Sequence, residues 1–219
     1  MRCLFCKADS SLSRSREHII PESLGNIDHQ LPAGNVCDAC NHYLGREVER
    51  PVQESPLFRQ LRKGMQVPNK RGKFPEWEPG DGVEKPSYRL MGRFLAKVAL
   101  EAIAFRTREV AGSNEELVTK AELDELRRYA RYNEGPDWPF TVRTLYPVNA
   151  VFQNGREHFE LLHEFDILVT HGMEYYLVLA LFGVELVINL GGRELDGYRC
   201  WLEAHDYASP LYTPKPPKP

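Results

Sequence analysis

The sequence predicts an α+β fold, in which a small cysteine-rich module precedes a larger domain of helices packed on an antiparallel sheet. Three observations predict this class. Two Cys-x-x-Cys pairs lie within residues 1–40. Apolar residues recur at helical spacing over residues 88–105, and short runs rich in β-branched and aromatic residues follow from residue 141. A length of 219 residues with 42% apolar content suits a globular chain of one or two domains.

The two cysteine pairs, Cys3/Cys6 and Cys37/Cys40, predict a structural zinc site. Each pair supplies two thiolates from one tight turn, and four thiolates satisfy the tetrahedral coordination of a closed zinc site. Disulfide bonds are a competing interpretation, and redox activity is a third, although neither pair lies in a βαβ pattern. We expect the fifth cysteine, Cys200, to be a buried and inert thiol in a strand.

Composition divides the chain into four expected segments. Residues 1–50 form the zinc-stapled module, and residues 51–86 form a Pro/Gly-rich connector with one short helix around residues 57–61. Residues 87–212 form the C-terminal α+β domain, and residues 213–219 form a disordered Pro/Lys-rich tail.

Charge differs in sign between the two parts of the chain. Residues 1–74 hold 12 Lys and Arg against 8 Asp and Glu, whereas the remainder holds 16 against 23. A basic first part suits contacts with phosphate, and the acidic remainder is expected to mediate self-association or contact with another protein. No apolar leader precedes the first cysteines and no segment suits a membrane helix, so we expect a cytoplasmic protein without a membrane partner.

Two helices are predicted in the C-terminal domain. The first is a buried amphipathic helix over residues 88–105, with charged residues four apart on a second face. These charged residues are Arg89, Arg93, Lys97 and Glu101. The second helix covers residues 120–132, with Thr119 as N-cap and Glu122 completing a capping box.

Strands are predicted in the rest of this domain, with the helices against one face of the sheet. They cover residues 141–145, 159–170, 175–182, 184–190 and 198–202. Asn154-Gly155 and His171-Gly172 mark turns between them.

Between the cysteine pairs stands the string Glu17-His18-Ile19-Ile20-Pro21, and Asn41 follows the last cysteine of the second pair. An imidazole can accept a proton from water near neutral pH, and a hard cation such as Mg²⁺ prefers carboxylate and amide oxygens. Neighbouring residues of a strand point to opposite faces, so Glu17 and His18 need irregular backbone to converge. A helix is predicted over residues 41–49, starting at the second pair.

These residues, in this order, resemble the HNH endonuclease family in its version with two zinc knuckles, over roughly the first fifty residues. The resemblance implies the ββα-metal fold and hydrolysis of phosphodiester bonds in DNA. It implies that His18 is the general base, that Glu17 and Asn41 bind Mg²⁺ or Mn²⁺, and that Asn35 pins the loop behind His18. Many family members have a histidine where Asn41 stands, and His42, about 100° around a helix from it, is the rival ligand.

Three residues are candidate phosphate contacts: Arg16 beside the motif, His29 on a hairpin predicted over residues 26–30, and His42. The alternative function is a non-catalytic zinc ribbon that binds nucleic acid or protein. A binding module has no need of a general base beside an acid, so the motif favours the enzyme.

Overall fold

The computed structural model describes residues 1–26, 28–69, 71–74, 76, 84–145 and 163–211. The strands are β1 (Glu17–His18), β2 (Gln30–Leu31), β3 (Phe140–Thr144), β4 (His163–Val169), β5 (Tyr175–Leu181) and β6 (Val184–Asn189). The helices are α1 (Asp38–Leu44), α2 (Arg50–Gln53), α3 (Pro56–Gly64), α4 (Tyr88–Ala111), α5 (Glu115–Thr119), α6 (Asp124–Tyr132) and α7 (Asp196–Ala204). A π-helical segment, Gly45–Glu49, joins α1 to α2. The predicted α+β class is confirmed.

The N-terminal module has a ββα order, in which β1 pairs with β2 in antiparallel orientation and α1 follows. The sulfur of Cys37 accepts the backbone N–H of Cys40, so Cys37 is the N-cap of α1. The helix therefore starts at Asp38, before the predicted residue 41. It also continues through the π segment to Gln53, beyond the predicted end at residue 49.

The π segment has a local cause in the sequence. The backbone N–H of Arg50 donates to the carbonyl of Gly45, five residues back instead of four. Pro51 follows directly, and a proline lacks an N–H and crowds the carbonyl four residues before it in a regular helix. The wider turn just ahead of Pro51 accommodates the proline without breaking the helix.

The C-terminal sheet has the strand order β3-β6-β5-β4, with all neighbours antiparallel. Side chains of β5 alternate between two apolar layers. Leu177 and Leu179 belong to the main core with α4, whereas Tyr176 and Val178 pack with Tyr198 of α7 on the opposite face. The prediction that helices cover one face is therefore wrong, because α7 covers the other.

Helix α7 also corrects the predicted strand over residues 198–202. Tyr198 and Leu202 lie one turn apart and both are buried against the sheet. Cys200 lies between them on the outer side of the helix and is exposed, so the prediction of a buried thiol is wrong. Apolar residues at 198, 200 and 202 match the period of two that is typical of a strand. Tyr198 and Leu202, four residues apart, match the period of a helix equally well.

The predicted helix over residues 120–132 is present as a 3-10 turn, Ala121–Leu123, followed by α6. Its predicted capping box is wrong. Thr119 ends α5, where its hydroxyl donates to the carbonyl of Glu116 at 2.8 Å. The turn instead begins after Lys120, with no side-chain cap.

The short helix predicted in the connector is present as α3, and β3, β5 and β6 lie within a residue or so of their predicted bounds. Strand β4 covers residues 163–169 of the predicted 159–170. Residues 159–162, the Asn154-Gly155 turn and the 213–219 tail lie outside the described residues.

Helix α4 lies at the centre of the molecule. It has 24 residues, a length of about 36 Å, and packs against the sheet, α6 and the N-terminal module. One continuous hydrophobic core includes residues from the module, α4 and the sheet. Arg93, Lys97 and Glu101 are buried, so most of the charged face of α4 is an internal surface against the module. Among the described helices, none is long and apolar enough to cross a membrane.

Candidate active site

The four N-terminal cysteines, Cys3, Cys6, Cys37 and Cys40, converge into one cluster whose sulfur atoms all lie within 4.8 Å of one another. The sulfurs of Cys6 and Cys37 are 3.7 Å apart. A tetrahedral site with Zn–S bonds of about 2.3 Å places its sulfurs about 3.8 Å apart. The cluster therefore fits a zinc ion, which would connect the two ends of the module.

N–H groups donate hydrogen bonds to the sulfurs of the cluster, and the thiol pKa values shift in both directions. The backbone N–H of Cys37 donates to the sulfur of Cys3 at 3.3 Å, and Arg131 Nε donates to the sulfur of Cys40 at 3.3 Å. The hydrogen bond with Cys40 lowers the pKa of Cys3 to about 4, whereas the same bond and burial raise the pKa of Cys40. Burial raises the pKa of Cys6 to about 11. A bound dication would favour the ionised form of every thiol.

A cleft of about 520 Å³ opens beside the cysteine cluster, between β1 and the helix formed by α1, the π segment and α2. The residues that matter for chemistry along it are Arg16, Glu17, His18, Asn41, Glu49 and Arg71. Strand β1 is only two residues long and the chain bends directly after it. Glu17 and His18 therefore both reach the cleft, although they are neighbours in a strand.

Glu17 is almost completely buried, with 5% of its surface exposed. Its Oε1 lies 2.8 Å from Nζ of Lys97. Its Oε2 has no hydrogen-bond partner among the described residues. Burial raises the pKa of the Glu17 carboxyl, against the lowering effect of Lys97. An unpaired buried carboxylate oxygen is unfavourable unless a cation or water satisfies it, which fits a metal ligand.

Asn41 lies across the cleft from β1 and is bonded through one end of its amide. Its Nδ2 donates to the backbone carbonyl of Arg16 at 3.3 Å, which leaves Oδ1 as the acceptor that can face the cleft. One carboxylate oxygen and one amide oxygen are hard donors of the kind that Mg²⁺ prefers. Glu17, His18 and Asn41 thus line a single cleft, and the donor set fits a divalent cation.

The π segment brings a second carboxylate, Glu49, to the same cleft. Asn41 and Glu49 are eight residues apart, which would place them about 80° apart around a regular α-helix. A π turn absorbs one extra residue, which reduces this offset to about 20°. Glu49 consequently lines the cleft together with Asn41. Glu49 was not predicted as a site residue, because its position depends on a π turn that hydrophobic periodicity does not reveal.

Lys97 is a second residue at the site whose role was not predicted from the sequence. Its side chain is fully buried, and its Nζ lies 2.8 Å from Glu17, 2.5 Å from Glu49 and 2.8 Å from Glu101. Burial works to lower the pKa of Lys97, but the three carboxylates outweigh it and raise that pKa well above its usual value. Burial also raises the pKa of Glu101 well above its usual range.

A signal for Lys97 does exist in the sequence. The spacing of Lys97 and Glu101 alone matches an ordinary surface ion pair. However, apolar residues surround that pair on α4 at positions 94, 95, 96, 98, 99, 100 and 102, and all of them are buried. A helix that is apolar nearly all round has no solvent face on which such a pair could lie.

Asn35 is buried and holds the loop that follows β2. Its Nδ2 donates to the carbonyl of Pro32 at 2.7 Å, and its Oδ1 accepts from Nδ2 of Asn114 at 2.8 Å. The backbone carbonyl of Asn35 also accepts the N–H of Leu4, which ties this loop to the first cysteine knuckle. A role for Asn35 in orienting the His18 ring remains a prediction.

The three candidate phosphate contacts have different locations. Arg16 is exposed and lines the cleft, whereas the exposed His42 is not among the cleft-lining residues. The ring of His29 packs edge-on against Phe105 at 5.7 Å and Phe165 at 5.0 Å between ring centroids. His29 is not among the residues that line the cleft, because its ring faces α4 and β4, and its contact with phosphate stays a prediction.

Comparison with known proteins agrees with the geometry of the module. Residues 3–57 match the family model described as HNH endonuclease, over about a quarter of the chain. No curated protein and no solved structure matches the chain. The N-terminal segment is therefore an HNH module with a cysteine cluster, as the motif predicted, and the family implies a nucleic-acid substrate. The match includes Glu17, His18, Asn41 and Glu49 but ends well before Lys97.

Proposed function

We propose that this protein is a metal-dependent HNH endonuclease that hydrolyses phosphodiester bonds in DNA. The observation that carries the proposal is the convergence of Glu17, His18 and Asn41 on one open cleft within the segment that matches the family. The buried and unpaired Oε2 of Glu17 adds a feature that a binding-only module would not need.

His18 is the proposed general base. An unperturbed imidazole titrates at about pH 6.5, so a neutral ring can accept a proton from an attacking water at working pH. The oxygen of that water forms a new bond to phosphorus, and the bond from phosphorus to the leaving oxygen breaks. The proton of the water passes to the ring, and the leaving oxygen takes a proton from solvent.

Glu17 and Asn41 are the residues that would hold a divalent cation such as Mg²⁺ or Mn²⁺. When bound, such a cation neutralises charge on the phosphoryl oxygens and stabilises the leaving alkoxide. Each residue already has one atom occupied by the protein, Oε1 of Glu17 by Lys97 and Nδ2 of Asn41 by Arg16. These contacts orient the remaining oxygens without help from substrate.

Arginine side chains supply the positive charge that a phosphate backbone requires. Arg16, Arg50 and Arg71 all line the cleft. Arg50 pairs with Glu54 at 2.7 Å on the surface, a contact of small energy that a phosphate can replace. We propose that these residues hold the strand across the cleft, with DNA as the substrate.

The proposed role of zinc is structural. Cys37 is both a member of the cysteine cluster and the N-cap of α1, the helix that carries Asn41. Zinc bound by the cluster would fix the start of this helix relative to the first knuckle. The direction of Asn41 therefore depends on the zinc site, although the zinc itself lies outside the proposed chemistry.

Cleavage of supercoiled plasmid tests the proposal directly. Wild-type protein and His18→Ala are incubated with plasmid in Mg²⁺ or Mn²⁺, and nicked and linear products are quantified over time. We expect His18→Ala to cleave at least about a hundredfold more slowly, because it lacks the proton acceptor. His42→Ala, which removes an exposed imidazole outside the cleft, is the matched control and should cleave as the wild type does.

Gel-shift measurements in EDTA complete the experiment. Both proteins should still bind the plasmid, because His18 makes little contribution to the positive charge of the cleft. If wild type and His18→Ala both leave the plasmid intact while shifting it equally, the protein is a non-catalytic binding module and the proposal is wrong.

A further inference from the structure

Lys97 of α4 lies outside the HNH module and contacts two of the proposed catalytic residues, Glu17 and His18. Its ammonium group is fully buried and lies at the meeting point of β1 and the π segment. Besides the carboxylates, Nζ donates to the backbone carbonyl of His18 at 2.7 Å and approaches that of Ile19 at 3.4 Å. A single amine thus contacts the carboxylate of the metal-ligand candidate and the backbone of the general-base candidate.

The contacts of Lys97 with Glu17 are selective. Nζ occupies Oε1, while Oε2 has no hydrogen-bond partner among the described residues and belongs to a residue that lines the cleft. An ammonium group cannot accept hydrogen bonds and has only three N–H donors. Each N–H that donates to an oxygen therefore constrains the orientation of the group that carries this oxygen. Without Lys97 the Glu17 carboxylate could rotate, and the carbonyl of His18 would lose its donor.

We propose that Lys97 is a positioning residue of the nuclease site, holding Glu17 and the His18 backbone so that Oε2 of Glu17 and the His18 ring are presented to the cleft. The C-terminal domain, through α4, thereby supports an active site whose metal-ligand and general-base candidates lie in the HNH module. This inference rests on the proposed function for its catalytic meaning, whereas the positioning itself can be measured on metal-free protein.

A different role for Lys97, as a cation that blocks the metal position, fits the structure less well. Lys97 is not among the residues that line the cleft. Its bonds to two backbone carbonyls and to Glu101 on its own helix hold it behind Glu17. A blocking lysine would need to leave its position when metal binds, and its full burial opposes that movement.

The test compares Lys97→Met with wild type in two measurements. In metal-free protein, hydrogen exchange of the backbone amides at residues 17–20 and the NMR signals of the His18 ring report how firmly β1 is held. In saturating Mn²⁺, single-turnover cleavage of plasmid reports the chemical step. We expect faster exchange at β1, changed His18 signals and cleavage slower by at least about tenfold, because small misplacements of reacting groups have large effects on rate.

Two further variants control for folding. Arg93→Met removes another buried cation from α4, one turn before Lys97, where Arg93 donates to the carbonyl of Ala130 and to the hydroxyl of Tyr43. It should lower stability yet leave β1 exchange and the cleavage rate near wild type. If Lys97→Met does not fold, Lys97→Met/Glu101→Gln carries the test, because it also neutralises one of the carboxylates left without a partner.

The outcomes separate the alternatives. Unchanged β1 exchange and an unchanged rate per folded molecule would show that Lys97 only stabilises the fold, which overturns the proposal. Faster cleavage with tighter Mn²⁺ binding would show that Lys97 blocks the metal and would overturn it as well. If wild type does not cleave DNA at all, the proposed function fails, while exchange and NMR still decide whether Lys97 positions β1 and His18.

Discussion

Two buried glutamates, Glu17 beside the cleft and Glu185 in the sheet, show how differently one side chain can be used in the same molecule. Glu185 is fully buried, and its carboxylate accepts from Arg143, Tyr198 and Ser209, so both of its oxygens have donors. Glu17 has a single partner residue, Lys97, on one oxygen and none among the described residues on the other.

The groups around the two glutamates also differ in how well the carboxylates are matched by positive charge and hydrogen-bond donors. Glu185 belongs to a group with one carboxylate, one guanidinium and two hydroxyls, in which charge and hydrogen bonds are balanced. Glu17 belongs to a group with three carboxylates around one ammonium. A satisfied buried network specifies the fold, whereas three carboxylates around one ammonium, with an open oxygen on Glu17, fit the proposed cation site.

The largest expected effect on stability comes from Glu185→Gln. The substitution removes the charge that pairs with Arg143 and leaves a buried donor opposite hydroxyl groups. We expect the free energy of unfolding to fall by about 3 kcal/mol, measured by urea denaturation. Cleavage per folded molecule should not change. An unfolding free energy equal to that of wild type would contradict the view that this network maintains the sheet.

The matched substitution Glu17→Gln should have the opposite profile. Lys97 keeps Glu49 and Glu101, and one of three crowded carboxylates disappears, so the free energy of unfolding should change by less than about 1 kcal/mol. Plasmid cleavage should fall at least about a hundredfold, since the proposed cation loses its charged ligand. If Glu17→Gln unfolded easily but cleaved plasmid normally, Glu17 would serve stability instead of cleavage, and the prediction would be wrong.

A smaller effect is expected at the cysteine cluster from Arg131→Met. Its Nε donates to the sulfur of Cys40 at 3.3 Å, and its guanidinium lies 3.7 Å from the ring centroid of Tyr43. Loss of this donor should weaken zinc binding by about tenfold, measured by competition with a chromogenic chelator. Arg128→Met is the control, because Arg128 lies in the same helix and is exposed. Equal zinc affinity in both variants would show that Arg131 contributes packing alone.

The smallest effect concerns the pH dependence of stability through His29. Burial and the charges of His163 and Arg106 lower the pKa of His29, although Asp28 and Glu109 act in the opposite direction. The unfolded chain therefore binds a proton at this histidine more readily than the folded protein, and stability falls as pH drops below about 6.5. His29→Phe should flatten the slope of unfolding free energy between about pH 5 and 7. If the slope did not change, groups other than His29 would cause the pH dependence of stability in this range.

Local sequence predicted the parts of the site that are close together in the chain. The cysteine spacing and the string around Glu17 and His18 are short motifs, so their geometry is largely determined within the module. Asn41 was predicted as the metal ligand in preference to His42; Asn41 lines the cleft and His42 does not, and metal binding by Asn41 stays a prediction. The same local patterns also predicted α3, α4 and most strands of the C-terminal sheet.

The remaining features depend on tertiary structure. Lys97 contacts Glu17 across 80 positions in sequence and Glu49 across 48, and no local pattern reports such distances. Helix α7 was predicted as a strand because an apolar period of two and a pair four apart coincide at residues 198–202. The surroundings of His29 could not be predicted either, because a hairpin pattern does not show that α4 and β4 pack against its ring.

The π segment of residues 45–49 holds one residue more than a regular helix would need to bring Asn41 and Glu49 to the same cleft. Surface loops usually tolerate an inserted or deleted residue, because their ends can adjust. Deleting one residue between Gly45 and Val48 would restore a regular α-helix in which Glu49 follows Asn41 by seven positions, so the offset of about 20° between them would be kept. A regular helix without the deletion would instead turn Glu49 by about 100°, away from Lys97. Homologues that retain this site should therefore have either a π turn with eight positions from Asn41 to Glu49 or a regular helix with seven.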